Sequence, residues 1–185
     1  MEKKYALSIA VLFLISVFLY VGICKLMGYP LLSLSANTHY SNPIISGHEK
    51  EPLPRIDILL SDSLTHIDLA SQIGEKPIVL FYFSPYCPYC KSQLDEILKN
   101  MKRLKDIQFY LITPFLLSEM KVFIVDNGLY QHNNIIVGRD YEFLFAKYFD
   151  IQVVPYLAVY SKKGNLNAAF VGQMRFDQIL SVSEQ

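Results

Sequence analysis

Cys87 and Cys90 flank two residues in the stretch Cys87-Pro88-Tyr89-Cys90. Thiols at this spacing can open to a dithiol or close to a disulfide, which is the chemistry of thiol–disulfide exchange. As a purely structural crosslink the pair would close almost no loop and so stabilise little. Before it, Pro77 leads an unbroken apolar run, Ile78-Val79-Leu80-Phe81-Tyr82-Phe83, of the kind a strand buried on both faces needs. After it, Leu94, Ile97, Leu98, Met101 and Leu104 recur at helical spacing between charged residues. A cysteine between a buried strand and a helix start sits where unpaired N–H groups and the helix dipole stabilise a thiolate. Cys87 is therefore expected to be the exposed nucleophile. Cys90, one turn into the helix, is expected to be the less exposed thiol that resolves the mixed disulfide. Pro88 sets φ near the helix start and removes one unpaired N–H. Tyr89 could shape the surface beside the sulfur or donate to it; it could equally be an exposed aromatic with no catalytic part.

The elements that would hold this pair are legible around it. Strands are expected over 56–60, 64–69, 78–83, 108–112, 134–137, 156–160 and 166–171. Helices are expected over 88–103, 117–126, 141–149 and 176–182, with Asp140 as the N-cap of the third. Asn127-Gly128 stops the second helix, and Lys162-Lys163-Gly164-Asn165 turns the last two strands into a hairpin. Parallel βαβ units followed by a hairpin and a terminal helix make an α/β domain, a central mixed sheet flanked by helices.

The 185 residues hold 17 Lys+Arg and 17 Asp+Glu, scattered without a basic patch, so nothing favours nucleic acid. The apolar excess lies at the N-terminus. Tyr5 through Cys24 is uncharged, and about 20 residues make a helix of roughly 30 Å, enough to span a bilayer. Lys3 and Lys4 precede it, and after Lys25 no Lys or Arg follows until Lys50, which puts the N-terminus in the cytoplasm. The expected organisation is a cytoplasmic 1–4, a transmembrane signal-anchor 5–25, an extracytoplasmic linker 26–54 and a folded domain 55–185. Cleavage after Ser33-Leu34-Ser35 fits less well, since the apolar core is too long and ends too early. Lipidation of Cys24 would want a small residue before it, where Ile23 stands; Cys24 reads as a small apolar membrane residue. Pro30, Pro43, Pro52 and Pro54 among Ser, Asn and Gly mark the linker. Its last ten residues could instead pack onto the domain as an extra strand.

With Cys87-Pro88-Tyr89-Cys90 after the central strand and Val153-Val154-Pro155 before the hairpin, the chain resembles the thioredoxin fold from Arg55 to its end. It looks most like the membrane-anchored TlpA and ResA type of thiol–disulfide oxidoreductase, with the helix and strand between Pro114 and Val137 as an insertion. The resemblance implies that Pro155 is cis and lies against the cysteine pair. It implies Cys87 and Cys90 as catalytic residues, with Tyr86, Pro88, Tyr89, Val154 and Pro155 around them. Val154 and Pro155 would present a backbone edge on which an extended substrate segment pairs. It further implies protein thiol or disulfide substrates, a membrane electron donor, and no cofactor or metal beyond the Cys87–Cys90 disulfide. The location implied is the plasma (inner) membrane, single-pass, with the C-terminal domain on the periplasmic or extracytoplasmic side. Three positions depart from related patterns. Phe81 replaces the acidic residue of thioredoxins, Tyr86 replaces the usual Trp, and Gly172 stands alone where glutaredoxins carry Gly-Gly for glutathione.

The same residues admit other chemistries. Disulfide oxidases and isomerases share the motif, because the potential depends on the intervening residues. A thiol peroxidase is hinted at by Ser84, although Leu80 stands where peroxiredoxins have proline. Structural zinc would need four ligands, and His66 and His132 show no paired spacing; copper delivery through Cys87, Cys90 and a distant histidine is a further reading. Haem attachment would want His where Lys91 stands. A docking module without catalysis would need neither cysteine.

Overall fold

The computed structural model describes residues 40–185 together with Phe13, Ile15, Ser16, Phe18 and Leu19. The chain divides into a unit Met1–Thr38 and a compact unit His39–Gln185. The expected span 5–25, with Cys24, lies outside the described residues except for those five, which are helical. Among the described residues no helix is long and apolar enough to cross a membrane.

The strands are β1 (Asp57–Leu60), β2 (His66–Asp68), β3 (Ile78–Tyr82), β4 (Gln108–Thr113), β5 (Ile135–Arg139), β6 (Tyr156–Tyr160) and β7 (Leu166–Val171). They form one sheet in the order β2-β1-β5-β4-β3-β6-β7. The helices are α1 (Pro88–Lys99), α2 (Leu117–Asp126), α3 (Leu144–Tyr148) and α4 (Phe176–Ser183). β3 runs parallel to β4 and antiparallel to β6, with Val79 opposite Phe109 on one side and Val159 on the other. Every residue of β3 is buried, and its side chains alternate between two layers as a pleated strand requires. Val79 and Phe81 join Phe109, Leu111, Leu157 and Val159 under α1, α2 and α4. Ile78, Leu80 and Tyr82 join Tyr110, Ile112, Ala158 and Tyr160 under α3 and the strap that enters β1.

The expected elements are present, and their ends differ for local reasons. β2 is shorter than 64–69 because the Asp62 carboxylate accepts the N–H groups of Leu64 and Thr65, at 3.0 and 2.8 Å, and holds both in a turn. α1 stops at Lys99 instead of continuing to Arg103. Asn100 leaves helical geometry at φ −106°, ψ 14°, and its side chain donates to Glu96 O at 2.9 Å. Met101 and Leu104 still pack on the core, but from turns. The helix expected over 141–149 is only α3, because Phe143 adopts a left-handed φ of 57°. Asp140 nonetheless does the capping work from outside the helix. Its buried carboxylate accepts from Leu144 N at 2.8 Å, Phe145 N at 3.1 Å and Ala146 N at 3.4 Å.

Residues 40–54 follow β7. Ile44 N donates to Ala169 O at 2.8 Å, Lys50 N to Leu166 O at 2.9 Å and Leu53 N to Gly164 O at 2.9 Å. Leu53 is buried in the second core layer. The contacts are isolated bridges, not a continuous strand.

Candidate active site

β3 and β4 stay paired one step past the end of β3, where Phe83 N donates to Ile112 O at 2.9 Å. The chain then turns through Ser84 and Pro85, and Cys87 N closes the turn on Ser84 O at 3.2 Å. Cys87 is the N-cap of α1, extended at φ −83° and ψ 117°, with Pro88 at the first helical position. That is the place where a helix has N–H groups without intrahelical partners. One of them, Cys90 N–H, donates to Cys87 Sγ at 3.3 Å.

The two thiols differ in access as expected. Cys87 is partly exposed and Cys90 is fully buried, among Phe81, Phe83 and Leu94 in the core layer beneath α1. Burial pushes the Cys90 thiol well above the ordinary thiol range, and the neighbouring Cys87 sulfur adds to this; a backbone hydrogen bond from Ser84 opposes it in part. No carboxylate figures among these influences, and Phe81 is fully buried where an acid could have stood.

The loop before β6 completes the surface. The Val154–Pro155 peptide bond is cis, and the Cys87 thiol points at Val154 O, 3.8 Å away. Pro155 is buried and its carbonyl accepts Gly172 N–H at 2.8 Å. Cys87, Cys90, Val154 and Pro155 are thus brought together from two segments far apart in sequence. Tyr89 is exposed. Pro88 is exposed and stands at the first helical position.

Tyr86 has a role that its spacing did not reveal. Its hydroxyl donates to Glu119 Oε1 at 2.6 Å, and its ring meets Phe115 edge-on at 5.5 Å. Glu119 also accepts Leu116 N–H at 2.9 Å. These two bonds hold the Glu119 carboxyl below the usual carboxylate range. Glu119 lies in α2 and carries no motif, so only the folded chain connects it to Tyr86. Ser84 shapes the turn: its hydroxyl oxygen accepts Tyr86 N–H at 3.3 Å.

Gly172 also serves packing. Its φ is 98°, and a Cβ there would stand 2.4 Å from Ser41 Oγ, so the glycine admits the strap beside β7. Among the described residues no group of three or more His, Cys, Asp or Glu side chains could hold a metal ion. His66 is bonded instead to Asp57 at 2.5 Å on the edge of the sheet.

A family model described as a thioredoxin-like domain matches residues 66–185. No curated protein matches the sequence significantly. Solved structures do match. A secreted Mycobacterium tuberculosis disulfide oxidoreductase homologous to E. coli DsbE is 19% identical, covering 70% of this chain and 94% of its own, at a TM-score of 0.57. MTB dsbF, seen in mixed oxidised and reduced forms, is 16% identical, covering 70% and 92%, at a TM-score of 0.59. StoA from Bacillus subtilis is 16% identical, covering 72% and 100%, at a TM-score of 0.55. At such identities these likenesses speak for the fold, and chemistry must be argued from the site. With the model covering most of the folded unit and the cysteine pair at its helix start, the chain belongs to the thioredoxin-like family.

Proposed function

We propose that this chain is a membrane-tethered, extracytoplasmic thiol–disulfide oxidoreductase that reduces protein disulfides through Cys87 and Cys90. The observation that carries the reading is the asymmetry of the pair. One sulfur is reachable at the helix N-cap with an N–H directed at it, and the other is buried one turn behind. The related M. tuberculosis and B. subtilis folds add support, the former being a disulfide oxidoreductase.

The reaction follows from that asymmetry. Cys87, as thiolate, attacks one sulfur of a substrate disulfide; the substrate S–S bond breaks, and its other sulfur leaves as a thiolate that takes up a proton. Cys90 then loses its proton and attacks Cys87 Sγ. The Cys87–Cys90 disulfide forms as the second substrate thiolate departs and is protonated. Two electrons and two protons pass to the substrate. An electron donor, placed by this reading in the membrane, must return them. The half-buried Val154 beside the exposed Val153 offers backbone next to the sulfur for an extended substrate. The span 5–25 would hold the domain at the plasma membrane, with 26–39 as reach between them.

Trapping in intact cells tests both halves of the reading. Full-length Cys90→Ser should accumulate mixed disulfides through Cys87 that sediment with membranes after alkaline washing. Adducts that wash off would contradict tethering. Absence of adducts, or equal adducts in Cys87→Ser, would contradict the exchange.

A further inference from the structure

A groove opens beside the nucleophile, between the turn that leads into α1 and one face of α2. Pro85, Tyr86, Val122 and Phe123 line it, with Glu119 and Asp126 along one wall, and it encloses about 530 Å³, a size usual for binding clefts. Glu119, Val122, Phe123 and Asp126 follow the i, i+3, i+4, i+7 pattern, so they form one stripe of the helix. Tyr86 and Val122 are 68% and 59% exposed. Large apolar side chains left open next to a reactive sulfur have the character of a recognition surface.

The charges of the groove are one-sided. Glu119 is kept ionised by its bonds to Tyr86 and Leu116 and by the nearby charge of Arg139. Lys91, the cation of the lining, is 2.5 Å from Asp95 and already paired. Lys121, on the same helix, points elsewhere and reaches Ser63 Oγ at 3.4 Å. Asp126 has no ion pair among the described residues. The Tyr86–Glu119 hydrogen bond fixes the near end of the groove against α2. Asp126 lies two helical turns further, about 10 Å along the axis, the reach of about three extended residues.

We infer that this groove receives the substrate segment adjoining the reactive cysteine and selects an apolar side chain at its Tyr86 end with a cationic one about three residues beyond it. Glu119 acts as a positioning residue that holds Tyr86 as a wall, and Asp126 supplies the selecting charge. The inference rests on the reading of Cys87 as attacking substrate disulfides. It adds which protein segments that attack favours.

Two disulfide-linked peptides test it, each with Leu beside its cysteine, one with Lys and one with Glu three residues beyond that Leu on both sides. The full chain in mild detergent, in the dithiol form, should reduce the Lys peptide about fivefold faster, the scale of exposed charge pairs. The preference should shrink in high salt. Asp126→Asn should bring it close to unity, and Val122→Ser should slow both peptides. Equal rates in the unaltered chain, or a preference that Asp126→Asn leaves intact, would overturn the inference. Hydroxyethyl disulfide, too small to fill the groove, reports the exchange itself, and its failure to react would contradict the proposed activity instead. Fluorescence anisotropy of the same peptides on the Cys87→Ser, Cys90→Ser chain reads the groove without chemistry. Equal affinity for both would likewise overturn it.

Discussion

At the scale of the residue, the proposed exchange rests on how differently one helix start treats two identical side chains. Cys87 has solvent and a backbone donor, and Cys90 has neither solvent nor a carboxylate to take its proton. Because burial disfavours the Cys90 thiolate, its ionised fraction should still be rising about tenfold per pH unit through neutrality. Release of a fluorescent thiol bound as a mixed disulfide to Cys87 should therefore accelerate by about tenfold per pH unit from pH 6 to 8, without a plateau. Stopped-flow fluorescence measures this, and a plateau inside that range would mean that some group deprotonates Cys90. The placement of the pair, one thiol open at a helix start and one buried behind it, was legible because the motif lies between recognisable elements, and the cis Pro155 followed from the family resemblance. Glu119 was not, because its tie to Tyr86 spans 33 positions and rests on no pattern of residue types.

Among the elements, the helix expected over 141–149 shows where local reading ends. Asp140 caps the helix as its residue type predicts, but the chain takes a left-handed step at Phe143 before the helix begins, and the carboxylate reaches past it to three N–H groups. Apolar periodicity continues through such a step, so the pattern alone does not register it. Burial raises the Asp140 carboxyl while those three donors pull it down. Asp140→Ala leaves the donors without an acceptor inside the fold and should cost about 2–3 kcal/mol. Asp140→Asn keeps an acceptor, removes a buried charge and should cost less. Denaturant midpoints of the two variants decide the order, and an equal loss would contradict the capping role. The central strands β3, β4 and β6 are legible because two-sided burial demands the apolar runs they display. Of the strap over 40–54, only the last ten residues were legible as one of two options, and the earlier part was not, since its bridges are backbone contacts that leave no side-chain signature.

On the scale of the molecule, the sheet joins β3 with its cysteine turn to β6 with its cis-proline loop as direct neighbours. Strand order therefore brings Cys87 and Val154 together across the sequence, and α2 adds the groove alongside. The strap belongs to the same compact unit, so solution measurements need a chain that retains it. The central claim is that this assembly donates electrons to protein disulfides. The most direct measurement is the equilibrium reduction potential of the Cys87–Cys90 pair in the full chain, set against a glutathione or dithiothreitol redox series. The account predicts a reversible two-electron couple near that of thioredoxin, about −270 mV. A value near about −120 mV, that of the strong oxidant DsbA, would contradict it and make disulfide formation the task of the pair.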